Sequence, residues 1–287
     1  MNNLKTVTRY ELLKQVRRKR FYGALAITVL AVILTIGLYK GLDLPERMRE
    51  VAKERMQGIP EFMRDNILDQ AKISDNPEFF AMFVTSMSAL AILGAVFFAG
   101  DAIASEFERG TGYLLFPNPV KRKTIVAGKY LACTIAAATI LLIAYIISAC
   151  ALLIFYGEVP IGLVGSLAIA LALACFIVGL AFVFSATLKG GMGATIATLL
   201  VYMVVFPLIS SSLSAIGQTP WFMPDRASDA ISATYGISYE NVFGGSNTIR
   251  VFVSAAQDPI LSFFVLIVYA AVLFIASIFL ASRREML

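Results

Sequence analysis

The chain has 287 residues, of which 59% are hydrophobic and only 15% charged, with a formal net charge of +5. Ordinary soluble domains carry about 25% charged residues, so this composition excludes most water-soluble folds: too few charges exist to cover that much apolar surface. Disorder is excluded because disordered chains are polar and poor in aromatics, which leaves a polytopic membrane protein.

Six runs lack Asp, Glu, Lys and Arg: 21–39, 79–100, 130–157, 159–188, 190–224 and 259–282. A charge at the bilayer centre costs roughly 2.5–3.5 kcal/mol even on the lenient insertion scale. A spanning helix needs about 20 apolar residues, so each run supplies one span. Residues 1–20 form an inner segment and 21–42 the first span. The first run is too long for a signal-peptide core and lacks a small-residue cleavage site, so it stays as a span. An outer segment covers 43–78, the second span 79–100 and an inner loop 101–128. The remaining spans are 129–156, 161–188, 191–213 and 259–282, with an outer segment at 214–258 and a tail at 283–287. In the first outer segment, Met48, Val51, Ala52, Arg55 and Met56 form a helical stripe, broken at Gly58-Ile59-Pro60. Phe62, Met63, Ile67 and Ala71 suggest a second short helix. Trp221-Phe222-Met223-Pro224 opens the later outer segment and suits a membrane interface. Pro207 is expected to kink the fifth span.

Basic residues set the orientation. Of 24 Lys and Arg, 15 fall in the N-terminal segment, the 101–128 loop with Lys129, Lys189 and the C-terminal tail. Those segments alternate onto one side, which places both termini in the cytoplasm. The inner side has 5 acids and the outer side 14. This polarised molecule is not read as a nucleic-acid binder.

Several chemistries are excluded. Histidine is absent, so His-ligated zinc and Ser–His or Cys–His catalysis are impossible. Cys133, Cys150 and Cys175 lie in uncharged runs and are expected to be buried, reduced thiols; no metal spacing is visible and no metal site is expected. No phosphate-binding P-loop exists, since Gly128-Lys129 is followed by Tyr130. No acid or base lies within the six charge-free runs, which disfavours a secondary carrier, a proton relay or an intramembrane enzyme.

The inner loop carries the most information. Asp101, Glu106 and Glu108 continue a helical segment that Arg109-Gly110-Thr111-Gly112 breaks. Tyr113, Leu114, Leu115 and Phe116 form an apolar patch before Pro117, and Lys121-Arg122-Lys123 follows. Helix three is expected to begin near Gly128. The patch is either a docking surface or a membrane-interface anchor beside basic residues that bind anionic head groups.

Glu106-x-Glu108-x-Gly110-Thr111, then Leu114-Leu115, Pro119, Arg122 and Gly128-Lys129, resemble the signature of ABC-2-type permeases. These are the membrane subunits of ATP-binding-cassette transporters with the type V (ABCG-like) exporter fold. Glu11-Leu12-Leu13 with Arg17-Arg18-Lys19-Arg20-Phe21 is similar to the family's amphipathic elbow helix, and Arg283-Arg284-Glu285 to its short tail. The long charged outer segment departs from the compact exporters. The resemblance implies an all-α membrane protein of six spans, with a cytoplasmic coupling helix between spans two and three. It implies two paired permeases, identical or siblings, above two ATPase subunits that hold ATP and Mg, in the cell membrane; the permease itself is no enzyme and needs no cofactor. Glu106, Phe107, Glu108, Arg109, Gly110, Thr111 and Arg122 are the expected ATPase-coupling residues. Glu106 and Glu108 have a plainer reading as partners of the N-terminal arginines. Spans two and five line the central pathway in the resembled fold, which points to Thr85, Ser86, Ser88, Thr198, Tyr202, Ser210 and Ser211. Small hydroxyl residues also simply pack helices in lipid. The expected function is ATP-driven export. The alternative is a permease-like transmitter that relays ATPase motion to an outer partner without moving a solute.

Overall fold

The computed structural model describes residues 2–55, 60–70, 74–86, 89–105, 122–188, 190–237 and 257–283. Among them every regular element is helical. In chain order these are α1 (Asn2–Val16), α2 (Lys19–Gly41), α3 (Leu44–Arg55), α4 (Glu61–Gln70), α5 (Pro77–Ser86) and α6 (Ala89–Ala99). There follow α7 (Arg122–Tyr156), α8 (Gly162–Thr187), α9 (Gly191–Ala215), α10 (Pro224–Ala233) and α11 (Pro259–Arg283). Five of them, α2, α7, α8, α9 and α11, are long and apolar enough to cross a membrane. The second charge-free run holds α5 and α6 on either side of positions 87–88, which lie outside the described residues.

Helix α8 is the centre of the bundle. It is 67% buried over its most apolar stretch, against 22% for α2 and α11 and 17% for α9, which therefore face outward. Its small residues allow close approach: a Cβ on Gly179 would lie 3.1 Å from the Leu273 Cβ of α11. Small residues at such interfaces compensate for the missing hydrophobic drive between helices in lipid. Cys133 is buried, but Cys150 is exposed on α7, contrary to expectation. An apolar thiol facing a lipid-side surface carries no penalty, so burial is not required of it.

Helix α7 begins at Arg122, earlier than the apolar run that marks its span. Its 35 residues extend about 52 Å at 1.5 Å per residue, well beyond a hydrocarbon core of about 30 Å. Helix α1 packs mainly on this helix. Gly128 makes the approach possible, because a Cβ there would sit 2.6 Å from Val7 Cγ1 and 3.3 Å from the Thr8 nitrogen. Beside it Lys129, 4% exposed, donates to the Ala102 carbonyl at 2.9 Å and lies 3.8 Å from the Glu11 carboxylate. Gln15 Nε2 donates to Cys133 Sγ at 3.6 Å. Asp101 pairs with Arg20 at 2.5 Å and Arg18 at 3.7 Å. Ser185 Oγ of α8 accepts from the backbone N–H groups of Ile103 and Ala104 at 3.1 and 2.9 Å. Thus α1, the turn after α6, α7 and α8 are tied together at one end.

The opposite end has its own clasp. Lys40 bonds both Asp75 oxygens at 3.0 and 2.8 Å, the Tyr156 hydroxyl donates to Asp75, and the Lys40 ammonium stands 4.6 Å from the Tyr156 ring centre. Partial burial would raise the Asp75 carboxyl, but the bonds from Lys40 and Tyr156 outweigh it and hold it below the ordinary value. Helices α3 and α4 form a pair joined by Arg49–Asp69 at 2.8 Å and Lys53–Asp65 at 2.9 Å. Ala52 and Leu68 are buried, whereas Phe62 and Met63 of the expected stripe are exposed.

Helix α9 changes its winding midway. It runs α-helical over Gly191–Leu200, π-helical over Val201–Val205 and α-helical again over Phe206–Ala215. The Phe206 N–H donates to the Val201 carbonyl, a five-residue step. The cause is the next residue. Pro207 lacks an N–H and its ring collides with the carbonyl four residues earlier in an ideal helix. A π turn absorbs that mismatch.

The 214–258 segment contains α10, which packs against α5, α8, α9 and α11. Pro224 suits the first helical position, and Ala227 and Ala230 are fully buried. The docking is tight: a Cβ on Gly162 would lie 2.6 Å from the Thr234 carbonyl oxygen.

Two substitutions test these contacts. Lys129→Met removes the buried cation beside the Glu11 carboxylate, leaving it only the more exposed Lys14 at 3.5 Å, and should destabilise the protein by about 3 kcal/mol, seen as a lower melting temperature in detergent. Adding Glu11→Gln should recover part of that loss, and simple additivity would refute the pairing. Gly162→Val overpacks a backbone contact and should cost about 1–3 kcal/mol, whereas Gly23→Val, with nothing within 4 Å, should be nearly neutral.

Candidate functional site

Two clefts meet where α9 and α10 face each other, sharing Tyr202, Ser228 and Asp229. The smaller, about 240 Å³, is closed on its other sides by Met82, Thr85 and Ser86 of α5, Tyr145 of α7 and Ala170 and Leu173 of α8. The larger, about 560 Å³, runs along α9 past Met203, Val204, Pro207, Leu208, Ser210 and Ser211, with Asp225 and Arg226 opposite. Leu173 lies well into α8, about 16 Å from the Gly162 end at 1.5 Å per residue. The α10 side chains therefore reach far into the bundle.

The structure sorts the expected pathway residues. Thr85, Ser86, Tyr202, Ser210 and Ser211 line one cleft or both. Thr198 does not: it is fully buried and its hydroxyl donates to the Ala194 carbonyl at 2.7 Å, so it packs helices as a back-bonded hydroxyl does. Ser88 lies outside the described residues, as do Glu106, Phe107, Glu108, Arg109, Gly110 and Thr111. Arg122 is the first residue of α7.

The residues that sequence reasoning missed are charged. Asp225, Arg226 and Asp229 all belong to α10. Asp225 accepts a hydrogen bond from Ser210 Oγ at 2.7 Å. Arg226 is 9% exposed, donates from Nη2 to Ser214 Oγ at 3.3 Å and has no partner for Nε among the described residues. Asp229 is open to water through the clefts, yet protein surrounds its carboxyl on most sides. That enclosure pushes its pKa up to about 6, Arg226 pulling it down and Asp225 pushing it up. The available signal was Pro224 followed by Ala227 and Ala230 one turn apart, with the charges on the remaining positions.

The arrangement offers no nucleophile–base pair. It offers a concave surface with hydroxyls, an aromatic ring, a titrating carboxylate and an apolar wall, the makings of a binding site. No individually curated protein matches the chain. The family model of the ABC-2 family transporter proteins matches residues 5–286. That span takes in all five long apolar helices, both clefts and the docked N-terminal helix. The chain is therefore a multi-pass membrane protein of the ABC-2 transporter family, a permease subunit of an ATP-binding-cassette transporter.

Proposed function

We propose that the chain forms one half of a dimeric exporter in the cell membrane, driven by two separate ATPase subunits that hold ATP and Mg. The observation that carries this reading is the family match over nearly the whole chain in a sequence that has no phosphate-binding loop of its own. The second copy is this chain or a sibling permease. Six spans are proposed, with α5 and α6 together making the second. The basic residues then put both termini in the cytoplasm.

Helix α1 serves as the elbow, and its docking on α7 through Glu11 and Lys129 supports that role. Residues 101–128 act as the coupling element, with Glu106, Phe107, Glu108, Arg109, Gly110 and Thr111 meeting the ATPase and Arg122 at the head of α7. The base of that loop is firmly held: Asp101 is clamped by Arg18 and Arg20, and the next turn is capped by Ser185. A rigid base is what a lever requires. Nucleotide can shift the permease only if the ATPase contacts differ between its two states. The clefts lined by Tyr202, Thr85, Ser86, Ser210 and Ser211 are the pathway surface.

The transmitter reading retains one supporting observation. Phe62 of α4 is 71% exposed and Met63 lies open beside it, on the mixed-charge outer pair, where a partner could dock.

Glu108→Lys and Gly110→Trp test the coupling. The first reverses a charge and the second blocks a backbone turn. Each should abolish co-purification of the ATPase subunit or reduce transport-coupled ATP hydrolysis by an order of magnitude or more. Unchanged ATPase binding and full coupled hydrolysis in both variants would sink the docking role.

A further inference from the structure

The larger cleft has two unlike walls. On α9, Met203, Val204 and Leu208 are apolar and exposed. On α10, Asp225, Arg226 and Asp229 are charged. Those charges do not neutralise one another by contact, since no Arg226 nitrogen lies within 4.0 Å of either carboxylate. Asp225 has Ser210 as a donor, but the Asp229 carboxylate accepts no hydrogen bond among the described residues. Arg226 is itself nine-tenths buried with its Nε unpartnered. Two acids and one base leave this wall negative when all are ionised.

Asp229 lines both clefts, open to water and with no protein donor to its carboxylate among the described residues, so a ligand that supplies positive charge can pair with it in a site enclosed on most sides. A bare metal ion fits poorly. No group of three or more ligating side chains is placed to hold one among the described residues, and hard cations need several oxygen ligands. An inorganic anion at Arg226 would share the cleft with two carboxylates. A cation with an apolar body suits both walls at once, with Tyr202 as an aromatic neighbour of the kind that attracts organic cations.

We propose that this cleft binds an organic cation carrying an apolar body, with the Asp229 carboxylate as its counter-ion and the Met203–Leu208 face of α9 covering its apolar part. This names the substrate class for the pathway read above and rests on that reading. Its test is equilibrium binding, which needs no ATPase, so failure here and failure of ATPase coupling are separate results.

Among the described residues the groups facing Asp229 are few. On α10 they are Asp225 and Arg226, on α9 Tyr202 and on α7 Tyr145. Helices α5 and α8 bring only Met82, Thr85, Ser86, Ala170 and Leu173, and α11 brings none to either cleft. The Asp229 carboxyl, enclosed by protein, has its pKa pushed up to about 6, inside the range the titration below covers.

The full-length protein in phosphatidylcholine nanodiscs is titrated with radiolabelled tetraphenylphosphonium at pH 7.5 and pH 5. Saturable binding is expected at pH 7.5, weakened about tenfold at pH 5 as the carboxylate protonates. Asp229→Asn should bind at least about tenfold more weakly at pH 7.5 and lose the pH dependence. Asp229→Glu should keep both. Tetraphenylborate, the anion of the same shape, should neither bind saturably nor compete. Absence of saturable binding in the wild type, equal binding by Asp229→Asn, or equal competition by tetraphenylborate overturns the proposal. If both variants lose binding, the wild-type pH titration decides, and pH-independent binding overturns it.

Discussion

Hydrocarbon neither solvates a charge nor hydrogen-bonds a backbone. Most of the described architecture follows from that constraint. The described secondary structure is all helix, since helices satisfy their own N–H and C=O groups. Hydroxyls inside the helices turn inward: Thr28, Thr35, Thr85, Ser148 and Thr198 each donate to the carbonyl four residues earlier. Where ionised groups are buried near a helix end, they come with partners, as Lys129 with Glu11 and Asp101 with Arg18 and Arg20. What remains to hold the helices together is packing, and the alanines and glycines of α8 make it the helix around which others assemble.

Helix α10 is the exception, and its exception is instructive. It carries two acids and an arginine into the bundle. The fold tolerates them in three ways. Ser210 and Ser214 of α9 bond Asp225 and Arg226. The clefts admit water to Asp229. The remaining cost appears as a carboxyl pKa pushed up to about 6, so its charged form is the one disfavoured. A strained electrostatic arrangement beside a pocket is a mark of function more often than of structure.

The spans were legible because the bilayer writes them directly as charge-free runs. The start of α7 was not, because a helix need not begin where its apolar stretch does: its first turns carry Gly128 and Lys129, which pack on α1. Helix α10 was missed for a related reason. Ten residues with three charges give no hydropathy signal. Its position is decided by contacts distant in sequence, such as Gly162 against Thr234. Tyr202 and Thr198 look alike on a helical wheel, four residues apart and on one face. The π turn at Val201–Val205 breaks that equivalence, leaving Thr198 in the packing and Tyr202 in the cleft. The coupling loop was the clearest motif in the sequence, and its central residues lie outside the described structure.

The two ends of the candidate machinery share one helix. At one end a Cβ on Gly100, where α6 gives way to the loop, would meet the Thr195 hydroxyl and lie 3.0 Å from the Thr195 Cα of α9. The Thr195 hydroxyl fills the space beside Gly100, and the two backbones approach closely behind it. Two turns further along α9, Tyr202 occupies the π turn that forms the cleft wall. Coupling between sites needs an element with two discrete arrangements. The π turn at Val201–Val205 is where the winding of α9 departs from α, and it carries Tyr202. Under the proposed function, a push on the loop base is thus delivered at Thr195 to the helix whose winding sets where Tyr202 stands relative to Asp229. No relay through α8 is required, which lets α8 remain the rigid wall against which α9 and α10 change.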